Sequence, residues 1–235
     1  MSEFPLLAVT DAACCPRPLP EQIKRIAVCN ALPSAVILRA KELNNADYCI
    51  LAKQALQICT EHKLPLIVHS DWQLAQELGI KRLHLPLARL HQLPQSARKN
   101  FSWLSTSVHS VEEALEAQSL GATALVAGHI YATQCKSGLA PRGLEFLKAV
   151  CAAVQLPVYA IGVPTVVDAA TLTLDVLEEA GKSDVDPTAL RGHETVMVTT
   201  RDIDAQIREL ARIVGYGIDL ALQPLSFAEV SALLG

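Results

Sequence analysis

The sequence predicts an α/β protein that is built around a parallel sheet and has the (βα)8 TIM-barrel fold. Short apolar runs alternate with segments of helical period from one end of the 235-residue chain to the other. The connections between them are mostly short, and such an alternation places successive strands side by side in parallel. Eight βα units in a chain of this length fit one barrel domain that spans residues 1–235.

The first half of the chain contains four predicted strands, each an aliphatic run bounded by turn residues. The segments between them place apolar residues three or four positions apart, as one face of a helix requires. Strands are predicted at 6–9, 35–38, 64–68 and 82–85, and helices at 21–29, 45–62, 71–78 and 92–97.

The second half continues the alternation. Ser110 is predicted to cap a helix whose first turn carries Glu112 and Glu113, where carboxylates offset the positive end of the helix dipole. Further strands are predicted at 103–107, 123–127, 157–161 and 195–199, and further helices at 144–154, 203–222 and 226–234. The polar, turn-rich segment 181–194 predicts a mobile surface loop.

The composition favours a small-molecule partner. The formal net charge is −4, with 20 basic and 24 acidic residues well mixed, which gives no electrostatic footprint for nucleic acid or for an anionic membrane. Residues 1–5 are too short and too polar for a secretory signal, and no apolar run approaches the roughly 20 residues that a bilayer requires. We expect a cytoplasmic protein.

The seven cysteines are scattered and form no C-x-x-C pair. Their odd number indicates reduced thiols in a reducing compartment. Neither cysteine nor histidine residues have the spacing of a structural zinc site. We predict no metal and no other cofactor.

Cationic side chains follow the predicted strands at the end where barrel enzymes have their active sites. Arg39 and Lys41 leave one strand two residues apart, so both are predicted to point to one side and, with Lys136, to surround a phosphate. Gly162 ends strand seven, where a glycine lets a phosphate approach the backbone. The alternatives are a solvated loop lysine at Lys136 and a simple turn at Gly162.

His129 is the predicted catalytic residue. It follows Gly128 at the end of a buried strand, and a histidine in a cationic cluster suits acid–base chemistry near neutral pH. Thr106 is assigned to substrate and phosphate binding, and Asp11 is expected to help order the site. For the other histidines at strand ends, packing or hydrogen bonding is the favoured interpretation; these are His69, His84 and His109.

Several of these segments resemble the thiamine phosphate synthase superfamily, and within it the thiazole tautomerase (TenI-like) branch. The matching pieces span residues 6–163 in order: Ala8-Val-Thr-Asp11, Leu38-Arg-Ala-Lys-Glu-Leu43, Leu66-Ile-Val-His69, Ser107-Val-His-Ser-Val-Glu-Glu-Ala114, and Gly128-His-Ile-Tyr-Ala-Thr-Gln-Cys-Lys-Ser-Gly-Leu139 with Arg142-Gly143. The resemblance implies a (βα)8 barrel, often a homodimer, that binds a thiazole phosphate. In the tautomerase branch the histidine matching His129 moves the proton that converts the thiazole carboxylate phosphate into its aromatic tautomer.

The chain departs from the synthase pattern in three segments. A synthase would need an acidic Mg²⁺ site for pyrophosphate departure, and its pattern has Asn-Asp where this chain has His69-Ser70. Another Asp of that pattern falls where this chain reads Leu85-Pro-Leu-Ala-Arg89, and a glutamine is replaced by Ile37. These departures favour proton transfer over coupling.

The C-terminal portion resembles a different family, the spore germination protease family. The resemblance begins near residue 156, so the chain is interpreted as a TenI-like portion at 1–160 joined to a protease-like portion at 161–235. The Gly-Gly turn and the strand-eight phosphate loop of the barrel family are missing. Val163-Pro164 stands in place of the first, and because proline lacks the N–H donor, we expect weakened phosphate binding.

Three functions remain in competition at this point. The first is an isomerase, a TenI-like thiazole tautomerase in thiamine biosynthesis with His129 as its acid–base group. The second is a catalytically inactive hybrid or regulatory barrel protein. The third is a thiamine phosphate synthase.

Overall fold

The structure, a computed structural model, describes residues 6–12, 15, 17–28, 35–130, 138–161 and 195–199 of the chain. Strands and helices alternate through these residues, and the predicted parallel α/β fold is confirmed. The elements are β1 (Leu6–Val9), α1 (Leu19–Val28), β2 (Ala35–Leu38), α2 (Asn45–Glu61), β3 (Leu66–His69), α3 (Trp72–Glu77), β4 (Arg82–Pro86), α4 (Leu87–Gln92), α5 (Gln95–Arg98), β5 (Trp103–Val108), α6 (Val111–Ser119), β6 (Ala124–Gly128), α7 (Gly143–Ala153), β7 (Val158–Ile161) and β8 (Thr195–Thr199).

The strands form a curled parallel sheet in sequence order. Each strand from β1 to β7 pairs with the next, and β8 pairs with both β7 and β1. Backbone pairing among the described strands therefore closes into a ring. The helices that a complete (βα)8 barrel would have after β7 and β8 fall outside the described residues.

Alternate side chains of the strands fill the inside of this ring, because successive residues of a strand point to opposite faces. Inside the ring, Trp103 meets Tyr159 edge to face, with the ring centroids 6.3 Å apart. The apolar residues of this inner layer are Leu7, Val9, Ala35, Ile37, Ile67, Trp103, Ala124, Val126 and Tyr159.

The other face of the sheet packs against the helices. Leu38, Val68 and Leu125 lie in this outer core with the buried faces of the helices. The α2 residue Tyr48 adds a polar link: its hydroxyl donates to the Leu38 carbonyl at 2.7 Å and accepts from the His69 N–H at 3.1 Å. Helix α2 thus fixes the ends of β2 and β3 relative to each other.

Two predicted boundaries differ from the structure for reasons that involve proline. The single helix predicted at 92–97 is replaced by α4 and α5, because Pro94 ends the first helix and begins the second. Strand β3 begins at Leu66 rather than at residue 64, since Pro65 has no N–H for the ladder. The predicted cap of α6 is confirmed, with the Ser110 side chain accepting from the Glu113 N–H.

Several predictions fall outside the described residues. These are the surface loop at 181–194, the helices at 203–222 and 226–234, and nearly all of the protease-like portion at 161–235. They remain predictions, as does the division of the chain into portions. In the part of the chain that the structure describes, no helix is long and apolar enough to span a membrane.

Candidate active site

A cavity of about 270 Å³ opens at the carboxyl ends of the strands, the end at which the sequence places the site. Val9, Ile37 and Val126 contribute apolar surface from the inner layer. Its polar wall comes from the residues that follow the strands, among them Asp11, Arg39, Lys41, His69, His84, Ser107 and His109. The cavity is therefore apolar below and charged around the rim.

Arg39 is fixed at both its backbone and its side chain by the end of β1. The buried Thr10 hydroxyl accepts from the Arg39 N–H and donates to the Arg39 carbonyl, both at 2.7 Å. The Arg39 Nη1 atom lies 3.0 Å from Asp11 Oδ2, and both side chains are largely shielded from solvent. Such a pairing orients the guanidinium before any ligand arrives.

Lys41 reaches the same cavity from two residues further along the chain. Its side chain is exposed, in contrast to that of Arg39. The structure thus brings together two of the three cations that the sequence predicts around a phosphate. Lys136, the third, lies outside the described residues, as does Gly162.

The ends of β3 and β4 contribute two stacked histidines. The rings of His69 and His84 are 5.4 Å apart and 28° from parallel. Burial, with the positive charges of Arg39 and Lys41, lowers the pKa of His69 to about 4. Both cations are therefore close enough to act electrostatically on this ring.

Hydrogen bonds from β5 hold His84 in place. Its Nδ1 lies 2.7 Å from the Ser105 hydroxyl, and its Nε2 lies 3.0 Å from the Ser107 hydroxyl. Burial, with the neighbouring His69, keeps the pKa of His84 well below 6.5. The two rings are accordingly uncharged at neutral pH.

His109 lines the cavity where β5 meets α6. One carboxylate oxygen of Glu113 accepts from the His109 backbone N–H at 2.6 Å and lies 3.2 Å from its Nδ1. The side chain of His109 is 40% exposed, so it combines a carboxylate partner with access to solvent. His109 therefore lines the cavity, whereas the sequence interpretation favoured packing or hydrogen bonding for it.

His129 is buried directly after β6, with 4% of its surface exposed. Its Nε2 lies 3.4 Å from the Leu139 carbonyl, and its own carbonyl accepts from the Arg142 N–H. Gly128 lines the cavity, whereas His129 is not among the cavity residues. Its catalytic role remains a prediction.

Thr106 lies on the helix side of β5. Its hydroxyl is buried and donates to the Leu85 carbonyl at 2.7 Å. The alternation of the strand instead turns Ser105 and Ser107 toward the inside of the ring, where they contact His84. The sequence interpretation missed these two serines, although the two-residue period around Thr106 would have identified them. A ligand contact from Thr106 remains a prediction.

The described residues do not fit the acidic Mg²⁺ site that the resemblance implies for a synthase. Asp11, a cavity carboxylate, pairs with Arg39. Asp71, two residues after His69, caps α3 by accepting from the Leu74 N–H. No group of three or more potential metal ligands occurs among His, Cys, Asp and Glu in the residues that the structure describes. Proteins usually hold Mg²⁺ through one or two carboxylates, and the carboxylate that lines the described part of this cavity, that of Asp11, is already paired with Arg39.

Comparisons with known proteins identify the relatives of this chain. The family model for thiamine monophosphate synthase matches residues 6–174. The thiamine-phosphate synthase of Clostridium acetobutylicum is 33% identical over 132 residues, which cover 54% of this chain and 61% of that protein. That of Desulfitobacterium hafniense is 34% identical over 131 residues, which cover 53% and 61%. The chain thus matches about three fifths of the length of these curated relatives.

Solved structures agree at the level of the fold. The thiamine phosphate pyrophosphorylase of Pyrococcus furiosus superposes with a TM-score of 0.65 at 21% identity, covering 88% of this chain and 95% of that one. The family model and the two curated relatives are named for the synthase, and they favour the synthase alternative over the tautomerase interpretation. The family match also continues past the join predicted near residue 156. The chain belongs to the thiamine monophosphate synthase family.

Proposed function

We propose that the cavity binds a phosphorylated thiazole and that this protein forms thiamine phosphate, the product after which its curated relatives are named. The observation that carries the proposal is the pair of cations, Arg39 and Lys41, in a cavity with an apolar floor at the carboxyl ends of the strands. A small ligand that combines a ring with a phosphate matches both properties of this cavity.

The geometry assigns a task to each wall of the cavity. Arg39, already oriented by Thr10 and Asp11, supplies a planar fork of donors suited to a phosphate. The exposed Lys41 adds a movable charge, which suits the recruitment of an anion from solvent. Ile37 and Val126 offer apolar surface to the ring. Binding in this way would bring the reacting groups together and exclude water from them.

Thiazole tautomerisation is the second candidate. It is favoured by one specific observation: imidazoles of His69, His84 and His109 line the cavity, while the described residues fit no acidic Mg²⁺ site. A proton shift within one substrate requires an acid–base group and no departing pyrophosphate. Under this candidate His129 keeps the role that the family resemblance gives to it.

The experiment that tests the proposal is a product assay on the purified full-length chain. The protein is incubated with thiazole phosphate and the pyrimidine pyrophosphate, with and without Mg²⁺, and thiamine phosphate is quantified by chromatography. Product formation above a protein-free control is the expected result. If no product forms, but the thiazole carboxylate phosphate changes tautomer in an NMR time course, the second candidate is correct. If neither occurs, the chain is an inactive hybrid or regulatory barrel.

Three further properties belong to the same proposal. Residues 162–235 are proposed to supply the last helices of a (βα)8 barrel around β8, within one domain. The protein is proposed to be cytoplasmic and a homodimer, as the family resemblance implies. The ring closed by β8 supports the first of these properties, because the strand lies between β7 and β1 as an eighth unit requires.

A further inference from the structure

The end of β3 carries an imidazole at the point in the cavity that faces the two cations. His69 lines the cavity together with Arg39 and Lys41, and both positive charges act on its ring. An imidazole is either neutral or positive, so it never supplies the negative charge that draws in Mg²⁺. The imidazole of His69 therefore does not offset the positive charges of Arg39 and Lys41.

Nearby carboxylates do not compensate for this. Asp11 is committed to Arg39 at 3.0 Å, and Asp71 is committed to the first turn of α3 at 2.9 Å from the Leu74 N–H. In the part of the wall that the structure describes, Arg39 and Lys41 face only one cavity carboxylate, that of Asp11. These two cations and one carboxylate leave a net positive charge, which an anionic phosphate group balances.

The histidine is also held rigidly. Its ring stacks on His84, which two serine hydroxyls fix, and its backbone N–H is bound by the Tyr48 hydroxyl. Its Nδ1 lies 2.7 Å from the Ser70 hydroxyl. A rigid wall of this kind keeps its shape and charge when a ligand binds.

We propose that His69 determines how this cavity recognises its anion: an uncharged imidazole lines the wall beside Arg39 and Lys41 and adds no carboxylate there that would recruit a divalent cation, so the two cations bind phosphoryl groups directly and without metal. The inference rests on the proposed function, because it concerns the same cavity. Beyond the proposed function, it states in which form the ligand binds, namely as a phosphate or pyrophosphate group without Mg²⁺.

The test is calorimetric titration with inorganic pyrophosphate, in EDTA and in MgCl2, on the full chain. We expect wild-type protein to bind pyrophosphate in EDTA, and Mg²⁺ not to strengthen that binding. His69→Asp is expected to weaken metal-free binding by about tenfold or more, since the new carboxylate opposes the anion, and Mg²⁺ is expected to recover part of the loss. The matched variant is His69→Asn, because Asn is neutral and nearly equal to Asp in size. Its affinity for pyrophosphate is expected to stay within about threefold of that of wild type.

A second matched pair keeps the test decisive if the His69 variants do not fold, as judged by circular dichroism. Ser107 lines the same cavity beside His84, so Ser107→Asp and Ser107→Asn repeat the comparison from β5. The inference is overturned if wild-type protein binds pyrophosphate only with Mg²⁺, or if the Asp and Asn variants of a pair bind equally. These results are independent of product formation, so a failed synthase assay with metal-free binding intact would count against the proposed function alone.

Discussion

The imidazole of His69 stacks on that of His84 with the ring centroids 5.4 Å apart. The two residues are register partners on β3 and β4, so the strand pairing itself brings the rings together. Both are largely buried, and each ring has a hydroxyl within hydrogen-bonding distance. The two stacked rings are uncharged at neutral pH and lie beside two cations, and their titration links the stability of the protein to pH.

Acidification should destabilise the protein through these histidines. Burial holds the pKa of His69 at about 4 in the folded state against 6.5 ordinarily, and that of His84 is also lowered. Between those pH values the unfolded chain binds protons that the folded chain does not, so stability is full above pH 6.5 and falls as the pH approaches 4. Each such histidine contributes a slope of up to about 1.4 kcal/mol per pH unit.

Urea unfolding across this pH range measures the effect. His69→Asn should have a flatter dependence of the free energy of unfolding on pH than wild type. An identical slope in the two proteins would show that His69 does not titrate as the structure indicates.

Thr10→Val should loosen Arg39 with little change in side-chain volume. The variant removes a hydroxyl that bonds both the N–H and the carbonyl of Arg39 in a buried position. We expect a loss of about 1–3 kcal/mol in the free energy of unfolding, because two partly buried backbone groups lose their partner. Thr60→Val is the control, since that hydroxyl bonds an exposed helical carbonyl. An equal loss of unfolding free energy in the two variants would show that the hydrogen bonds from Thr10 to Arg39 add nothing to stability.

Lys41→Met should weaken phosphate binding without unfolding the protein. The side chain is exposed and lines the cavity, so its charge acts on the ligand more than on the fold. We expect KM for the phosphorylated substrate to rise about tenfold, which corresponds to about 1.4 kcal/mol. Lys53→Met removes an exposed charge on α2 and serves as the control. If both variants leave KM unchanged, Lys41 does not contact the phosphate.

Gly128→Ala should destabilise the contact between β6 and β7. A methyl group at this position would lie 2.7 Å from the Ile161 carbonyl oxygen and would also overlap the Ile161 side chain. Overpacking of this kind costs about 1–3 kcal/mol. Adding Ile161→Ala should recover only part of the loss, because the backbone contact persists. A Gly128→Ala protein as stable as wild type in thermal unfolding would show that the two strands move apart at no cost.

His129→Ala tests the catalytic prediction made from the sequence. If the second candidate function holds and His129 moves the proton, tautomerisation should slow by about 100-fold or more. His109→Gln is the informative comparison, since His109 lines the cavity and His129 does not. A rate that depends on His109 and not on His129 would transfer the acid–base role to the residue beside Glu113.

Much of the fold follows from the order of apolar runs. The strands at 6–9 and 35–38 and the capped helix after Ser110 were predictable because each depends on a local pattern. The predicted element boundaries were wrong next to Pro65 and Pro94. Proline has no N–H to donate, so a strand begins after Pro65 and a helix ends before Pro94, where the hydrophobic period alone would continue both elements.

The site was predictable in part. Arg39 and Lys41 share one side of the chain because the two-residue period governs the end of β2, and this was visible in the sequence. The same rule, applied to β5, would have favoured Ser107 over Thr106 as a cavity residue. The stacking of His69 on His84 was not visible, because it depends on the register between two strands.

Calorimetric titration of the purified protein with thiazole phosphate is the most direct measurement of the central claim, that the cations of this cavity hold a phosphorylated thiazole. The account predicts one binding site per chain in wild-type protein and loss of that binding in the double variant Arg39→Met/Lys41→Met, with the fold retained by circular dichroism. Absence of binding in wild-type protein, or equal affinity in the double variant, would contradict it.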